Sequence, residues 1–282
     1  MKKKFLLIAL IFFGFITSYS QSANESCHCA GMTIKGKGTF YITAGYNMDW
    51  FTKSDMHFKD TKTANYDFTI YDVKARDRSG LNKDFFRTNI LIPQYSFRIG
   101  YWFNNNKNTG IEINYDHAKY VVINDQTVRM KGTINNEYFD KDTVLNPRFV
   151  SFEHTNGANY CMANVMKRYT LLHSKNEKHW LSAVAKGGIG FVLPRTESRI
   201  VGRHRNDRYH VAGYIAGVDV GLRYDFARYF FLEQSGKGCF ANYANVLLKQ
   251  EGRARHHFFS MEYIFTFGFQ FPAKWSKNIS AR

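Results

Sequence analysis

The clearest pattern along the chain is the alternation of bulky apolar residues with small or polar ones between His257 and Phe271. The apolar positions are Phe259, Met261, Tyr263, Phe265, Phe267, Phe269 and Phe271. Because successive side chains on a β-strand point to opposite faces, the segment predicts a strand with one aromatic face and one mostly polar face. Lipid on the aromatic side and a polar interior on the other side explain this pattern better than a half-buried strand of a soluble sandwich does.

Seven further segments alternate in a similar way and predict strands. They cover residues 39–50, 89–103, 111–123, 156–172, 180–193, 210–226 and 229–248. Long polar connections at 52–88, 124–153 and 194–209 take turns with short ones at 104–110, 173–178 and 227–228, and residues 250–253 form the last loop. The first long connection contains an alternating piece at 66–73, which suggests a hairpin of its own.

The arrangement of these segments is typical of one class of membrane fold. An even number of strands, with short turns on one side and long loops on the other, is the pattern of outer-membrane barrels. A closed barrel also leaves no unpaired strand edge in lipid. The sequence therefore predicts an all-β fold: an eight-stranded antiparallel transmembrane β-barrel in up-and-down order, with long extracellular loops.

The amino terminus has the features of an export signal. Three lysines at positions 2–4 precede an apolar run at 5–16, and a small polar patch ends at Gln21. This run is too short for a transmembrane helix and fits a secretory signal peptide. We therefore expect a signal peptide at 1–21, a flexible segment at 22–37, the barrel at 38–271 and a carboxy-terminal extension at 272–282. The mature protein is expected in the outer membrane of a Gram-negative cell.

Composition narrows the choice of partners. The formal charge of the chain is +16 and its aromatic content is 17%. For an exported protein, phosphorylated lipid headgroups are the favoured counter-charge, not nucleic acid. We expect outer-membrane lipid and lipopolysaccharide as partners, with an envelope protein as a further possibility. The four cysteines, among them Cys27 and Cys29, favour free thiols or an occasional disulfide over a metal site, and no cofactor is expected.

Charged residues recur on the polar faces of the predicted strands. The set is Asp49, Arg98, Glu112, Asp116, Lys186, Asp219, Arg223, Glu233, Lys237 and Glu262, and Arg168 is expected to join it. The interior of an eight-stranded barrel is just wide enough for side chains to fill it, and buried charges must be paired. A near-balanced set favours a plugged, salt-bridged lumen, whereas a pore more often carries a ring of one sign. A narrow channel stays as an alternative.

These features resemble a known group of proteins. The signal region ending at Gln21, the eight alternating segments and the final aromatic strand ending at Phe271 resemble small outer-membrane barrels of the OmpA-barrel and OmpX kind. They look most like the eight-stranded barrels common in Bacteroidetes. The resemblance implies the fold and the location, and it implies that the aromatic last strand helps the assembly machinery recognise the chain. It names no ligand.

One short motif offers an enzymatic alternative. Residues 152–157, Phe-Glu-His-Thr-Asn-Gly, resemble the His-x-Ser-Asn-Gly of outer-membrane phospholipase and the His-x-Ser of lipid A deacylases. The resemblance implies His154 as a base and Thr155 in the place of the nucleophile, at the outer-leaflet end of a strand. The spacing is one residue short and serine is absent, and adjacent strand residues point to opposite faces. The pattern therefore favours a rim or packing role for His154 over an outer-leaflet lipid hydrolase.

The third long connection is rich in arginine. Its arginines are Arg195, Arg199, Arg203, Arg205 and Arg208, against only Glu197 and Asp207. Guanidinium groups suit bidentate contacts with phosphate, so this loop is a candidate for binding lipid phosphates, with a solvated charged loop as the alternative. Our main interpretation is a non-enzymatic barrel with a structural or binding role at the cell surface.

Overall fold

The computed structural model describes residues 28–29, 32–33, 38–78, 94–103, 108–176, 178–206, 208–226 and 229–272. The predicted signal peptide, most of the segment at 22–37, residues 273–282 of the predicted extension and residues 89–93 of the second predicted strand lie outside these ranges.

The described residues form nineteen β-strands. In chain order they are β1 (His28–Cys29), β2 (Met32–Thr33), β3 (Gly38–Phe51), β4 (Ser54–Asp60), β5 (Tyr66–Val73), β6 (Ala75–Arg76), β7 (Tyr95–Phe103), β8 (Thr109–His117), β9 (Tyr120–Val122), β10 (Thr127–Ile134), β11 (Glu137–Val144), β12 (Val150–His154), β13 (Tyr160–His173), β14 (Trp180–Val192), β15 (Glu197–Ile200), β16 (Arg203–Asn206), β17 (Gly213–Phe226), β18 (Phe230–Leu247) and β19 (Arg253–Pro272).

Eight of these strands close into a barrel. Strands β3, β7, β8, β13, β14, β17, β18 and β19 pair antiparallel with their neighbours in chain order, and β19 pairs with β3 from Ser260↔Phe51 to Pro272↔Thr39. Each strand is therefore hydrogen-bonded on both sides, which satisfies the backbone in lipid. At the closing seam Gly45 has no room for a side chain, since a Cβ there would meet the carbonyl oxygen of Phe265. The predicted fold class and strand order are confirmed.

The exterior of the barrel is an apolar band. Phe40, near the start of β3, and Trp50, near its end, are both exposed, as are Ile42 and the aromatic residues of β19 from Phe259 to Phe271. Ten residues of strand are about 33 Å long and span roughly 23 Å of height at a tilt of 45°, close to the ~25 Å apolar band of outer-membrane barrels. No helix in the part of the chain that the structure describes is long and apolar enough to cross a membrane.

The long connections are more ordered than the sequence predicts. The connection after β3 contains the hairpin that the alternation at 66–73 suggested, formed by β4 and β5. The segment 124–153, expected to be irregular, contains the hairpin β10–β11 and most of β12, and the predicted arginine loop at 194–209 contains the hairpin β15–β16. Besides these hairpin pairings, β10 also pairs with β5, and β12 pairs with β15. Both partners lie far away in the chain, so the local sequence gives little sign of these pairings.

These strands build an extracellular unit on top of the barrel. Strand β4 pairs with β19 above the end of β3 and extends the barrel wall through β5, β10 and β11. Strands β16, β15, β12, β9 and β6 form a second sheet. Buried apolar residues from both sheets and from the upper ends of the barrel strands make one core, which includes Phe58, Phe68, Phe152, Tyr160 and Phe258.

Candidate functional site

The lower end of the barrel interior is filled by stacked aromatic and guanidinium groups. The Arg223 guanidinium carbon lies 3.3 Å from the Phe231 ring centroid and 5.0 Å from that of Tyr41. Its Nε donates to Asp225 Oδ1 at 3.1 Å, and its Nη2 donates to Gln270 Oε1 at 2.7 Å. All five side chains are buried, so aromatic rings and a paired arginine occupy this end of the interior.

The middle of the interior contains two cations that share three carboxylates. Arg98 Nη1 lies 2.8 Å from Asp219 Oδ2 and 3.3 Å from Glu112 Oε1. Lys186 Nζ lies 2.8 Å from Glu112 Oε2 and 2.6 Å from Glu233 Oε1. All five residues are buried. Such pairs are held together because each charge would be costly to bury alone.

The upper part of the network has one cation and three acids. Lys237 Nζ lies 2.6 Å from Asp116 Oδ2 and 2.8 Å from Glu262 Oε1. Asp49, the cross-strand partner of Glu262, accepts a hydrogen bond from Gln94 Nε2 at 2.9 Å. Above this level the interior becomes the apolar core of the extracellular unit, where Tyr160, Tyr243 and Phe258 are buried.

The structure brings the predicted charged residues together in one interior network. Nine of the ten make ion pairs there, and Asp49 lies beside the network, opposite Glu262 in the pairing of β3 with β19. Arg168 lies 3.6 Å from Asp225. Asp225 was not in the predicted set, although it lies on the inward face of β17, two residues beyond Arg223. Tyr41, whose hydroxyl donates to Glu112 Oε2, was also missed because tyrosine is common on outward faces.

His154 lies inside the core of the extracellular unit. Its Nδ1 is 2.8 Å from the Thr196 hydroxyl, and its Nε2 is 3.2 Å from His256 Nε2. The rings of Tyr243 and Phe152 lie against it, with centroids at 4.8 Å and 4.9 Å. Burial, reinforced by the neighbouring His256, holds the pKa of His154 well below its usual value, so the ring is neutral. The alternation at 257–271, continued by one residue, puts His256 on the inward face, but it gave no sign that His154 would be its partner.

The geometry around His154 does not assemble a hydrolase site. Thr155, the residue in the place of the nucleophile, donates its hydroxyl to Glu153 Oε1 at 3.0 Å. His154 itself is fully buried, with Thr196 on one ring nitrogen and His256 on the other. A general base must reach both its nucleophile and a substrate, and this ring points into packed aromatic groups.

The arginines of the predicted loop differ in their contacts and in their exposure. Arg203 Nη1 donates to Gln250 Oε1 at 2.7 Å, and Arg205 Nη1 donates to the Leu248 carbonyl, so both tie the β15–β16 hairpin to the turn between β18 and β19. Arg195 packs its guanidinium over the Tyr209 ring at 5.9 Å. Arg208 is exposed and Arg199 is partly exposed on β15.

Other reactive groups are dispersed. Within the described ranges, no group of three or more histidine, cysteine, aspartate or glutamate side chains is placed to hold a metal ion. Cys161 and Cys239 are free thiols.

Comparisons with known proteins give similarity of fold at low identity. No family model matches the chain, and no curated protein matches it. The attachment invasion locus protein Ail of Yersinia pestis, solved with the heparin analogue sucrose octasulfate, is 11% identical, covers 83% of this chain and 99% of its own, and has a TM-score of 0.32. The outer membrane protein OprG of Pseudomonas aeruginosa is 11% identical, with coverage of 84% and 98% and a TM-score of 0.35. The outer membrane protein AlkL is 11% identical, with coverage of 91% and 99% and a TM-score of 0.37.

These neighbours are small outer-membrane β-barrel proteins. At such scores the similarity is coarse, and the class of this chain rests on its own features. Its eight strands close with every edge paired, its exterior carries an apolar band of membrane height, and its interior is polar. The chain is an outer-membrane β-barrel protein, located in the outer membrane.

Proposed function

We propose that this protein is a non-conducting barrel with a binding role at the cell surface, and that its ligand is the anionic surface of lipopolysaccharide. The observation that carries the proposal is the continuous filling of the interior. Ion pairs and stacked rings occupy the barrel from Arg223 to Lys237, and an apolar core covers them. A conducting barrel needs a wet path, and a dry interior leaves the exterior and the extracellular unit as the functional surfaces.

In the extracellular unit, the excess of basic over acidic residues is concentrated in one region. The segments 193–212 and 248–257 contain eight lysine and arginine residues against Glu197, Asp207 and Glu251, whereas the other extracellular connections are nearly balanced. The bonds from Arg203 and Arg205 to the β18–β19 turn bring these two segments side by side. Each basic group close to an anionic leaflet contributes about 1 kcal/mol, so a cluster suits a phosphorylated surface.

The contacts of the hairpin decide which arginines to change. Arg203 and Arg205 hold the hairpin in place, so their loss would mix folding with binding. The double variant Arg199→Gln/Arg208→Gln removes the partly exposed and exposed charges instead. It should weaken binding of purified lipopolysaccharide roughly tenfold or more at low salt and flatten the dependence of binding on salt. Lys141→Gln/Arg148→Gln removes two exposed charges from the β11 side and should have little effect.

Conductance tests the first half of the proposal. The purified barrel in a planar bilayer should show no steady conductance in the wild type. Stepwise openings of uniform size would replace the proposal with the narrow channel. Equal lipopolysaccharide binding by both double variants would show that the arginines are only a solvated face.

A further inference from the structure

The exterior face of β19 changes its chemistry at one point. From Phe271 up to Phe259 the outward residues are apolar, and the next three outward residues are His257, Arg255 and Arg253. The neighbouring strand β18 changes at the same height. On β18 the outward Phe240, paired with Phe259, is followed by Asn242, paired with His257. This level is therefore the upper boundary of the lipid band, where the headgroups of the outer leaflet lie.

Arg255 is positioned at this boundary by a chain of hydrogen bonds. Its Nε lies 3.0 Å from His57 Nδ1, across the pairing of β19 with β4. His57 Nε2 lies 2.7 Å from Asp67 Oδ1 on β5, and the second Asp67 oxygen lies 2.7 Å from Lys59 Nζ. Burial alone would raise the pKa of Asp67, but the hydrogen bonds from Lys59 and His57 outweigh it and lower that pKa. Asp67 is therefore a fixed anion at the base of the chain.

The chain also fixes the state of the imidazole. An arginine Nε is always a donor, so His57 Nδ1 must accept, and the ring proton lies on Nε2 and is donated to Asp67. His57 therefore orients Arg255 through this hydrogen bond. With Nε committed, the terminal Nη1 and Nη2 groups of the exposed Arg255 are the ones available to a ligand. Two parallel N–H groups on an oriented guanidinium suit phosphate oxygens.

A cavity of about 390 Å³ lies at the same place. Its lining includes Asp55, His57, Thr69, Asn242, Arg255 and His257. Asn242 and Thr69 add uncharged polar groups beside the guanidinium. Asp55 is the one acid in the lining, and its Oδ1 accepts the amide of Asp72 at 2.9 Å. A phosphate attached to a lipid is delivered to this height by its acyl chains, which lie along the apolar face below.

We propose that this cavity, with Arg255 as its anchor and His57 as a positioning residue, binds the phosphate of an outer-leaflet lipid headgroup. Arg255 belongs to the basic excess described above, but the site lies on the wall formed by β4, β18 and β19 and does not need the exposed arginines of the β15–β16 hairpin. It belongs to the outer wall of the barrel, so its ligand is a lipid that surrounds the protein. The apolar band and the site act together, because the acyl chains of the lipid contact Phe259 and its neighbours.

The test uses the purified full-length protein in detergent, titrated with dioleoylphosphatidic acid and followed by native mass spectrometry. Dioleoylphosphatidylcholine, whose phosphate is masked by choline, is the reference lipid. The wild type should prefer phosphatidic acid. Arg255→Gln should lower the affinity about fivefold, the share of one basic group near an anionic lipid. Arg148→Gln, which removes an exposed arginine from the connection between β11 and β12, should leave the affinity unchanged.

Two more variants separate orientation from charge. Arg255→Lys keeps the charge without the guanidinium and should fall between Arg255→Gln and the wild type. His57→Ala leaves the charge of Arg255 in place, yet it should weaken phosphatidic acid binding because Arg255 loses the hydrogen bond that positions it. The proposal is overturned if Arg255→Gln binds as the wild type does, or if His57→Ala has no effect. Displacement of the lipid by an equal concentration of inorganic phosphate would overturn the assignment to a lipid headgroup.

Discussion

Removal of Arg98 is the most direct test of the proposal that the barrel interior is sealed. Arg98 is buried and is the only cation within 4.0 Å of Asp219 among the ion pairs of the described residues. It also reaches Glu112 at 3.3 Å and Glu233 at 4.0 Å, but those two acids keep Lys186. In Arg98→Ala the principal loss therefore falls on Asp219, which stays buried without its ion-pair partner.

The size of the loss follows from this geometry. Removing one partner of a buried ion pair costs about 3–5 kcal/mol, since the remaining charge stays buried without that partner. With an m-value of roughly 2 kcal/mol per molar urea, the unfolding midpoint would fall by about 1.5–2.5 M. A second change, Asp219→Asn, removes the stranded charge, so the double variant Arg98→Ala/Asp219→Asn should recover part of the loss.

The assay is urea unfolding of the refolded barrel in lipid vesicles, read by intrinsic fluorescence and by the gel shift between folded and boiled protein. Arg129→Ala is the matched control, because Arg129 lies 2.6 Å from Asp140 in an exposed pair on β10 and β11. Its midpoint should not move measurably. If Arg98→Ala unfolds with the wild-type midpoint, water reaches Asp219, and the argument for a dry interior fails.

Three further outcomes follow from the structure. His154→Ala should cost roughly 2–5 kcal/mol in urea unfolding, because it empties a packed site, and neither it nor the wild type should release fatty acid from phospholipid or lipopolysaccharide. Burial lowers the pKa of His154, so the unfolded chain binds a proton at this residue more readily than the folded protein does. The contribution of His154 to stability should therefore be full above pH about 6.5 and decline progressively below it. In urea unfolding midpoints measured from pH 8 to 5, His154→Phe should decline less than the wild type. Gly45→Ala should reduce the fraction of barrel that keeps its folded mobility on unboiled gels, since the new Cβ meets the Phe265 carbonyl at the closing seam.

The barrel strands were predictable because each one has two different environments. Lipid on one side and a charged interior on the other impose alternation, and in β3, β17 and β19 it is unbroken across the band. The fourth predicted strand alternated least clearly, and its bounds at 156–172 were displaced from the observed Tyr160–His173. The structure gives the reason: the inward residues include the apolar Tyr160, Met162 and Met166, whereas the outward residues include Lys167. The register shift between Thr170 and Leu172 affects only the end of the strand.

The extracellular unit could not be predicted in the same way. Its strands are only two to eight residues long, and they pair with segments far away in the chain, as β5 does with β10. The contact of His154 with His256 spans 102 residues, and the positioning of Arg255 by His57 spans 198. Alternation of apolar and polar residues indicates a strand, but it does not indicate which other strand pairs with it. The sequence therefore predicted where charge is concentrated without predicting which arginines are free to bind.

The barrel has a polar interior and the extracellular unit has an apolar core, and both follow from what surrounds each part of the protein. In β19 the inward residues of the band include Glu262, Thr266 and Gln270, and above the band they are Phe258, His256 and Ala254. The outward residues change in the opposite sense at the same point. Where lipid surrounds the barrel, apolar side chains face outward and polar side chains face inward. Where water surrounds the extracellular unit, polar side chains face outward and apolar side chains face inward. The alternation is therefore continuous through β19 while its polarity inverts between Phe258 and Phe259. This inversion fixes the height of the membrane surface, and it places the cavity at Arg255 among the headgroups.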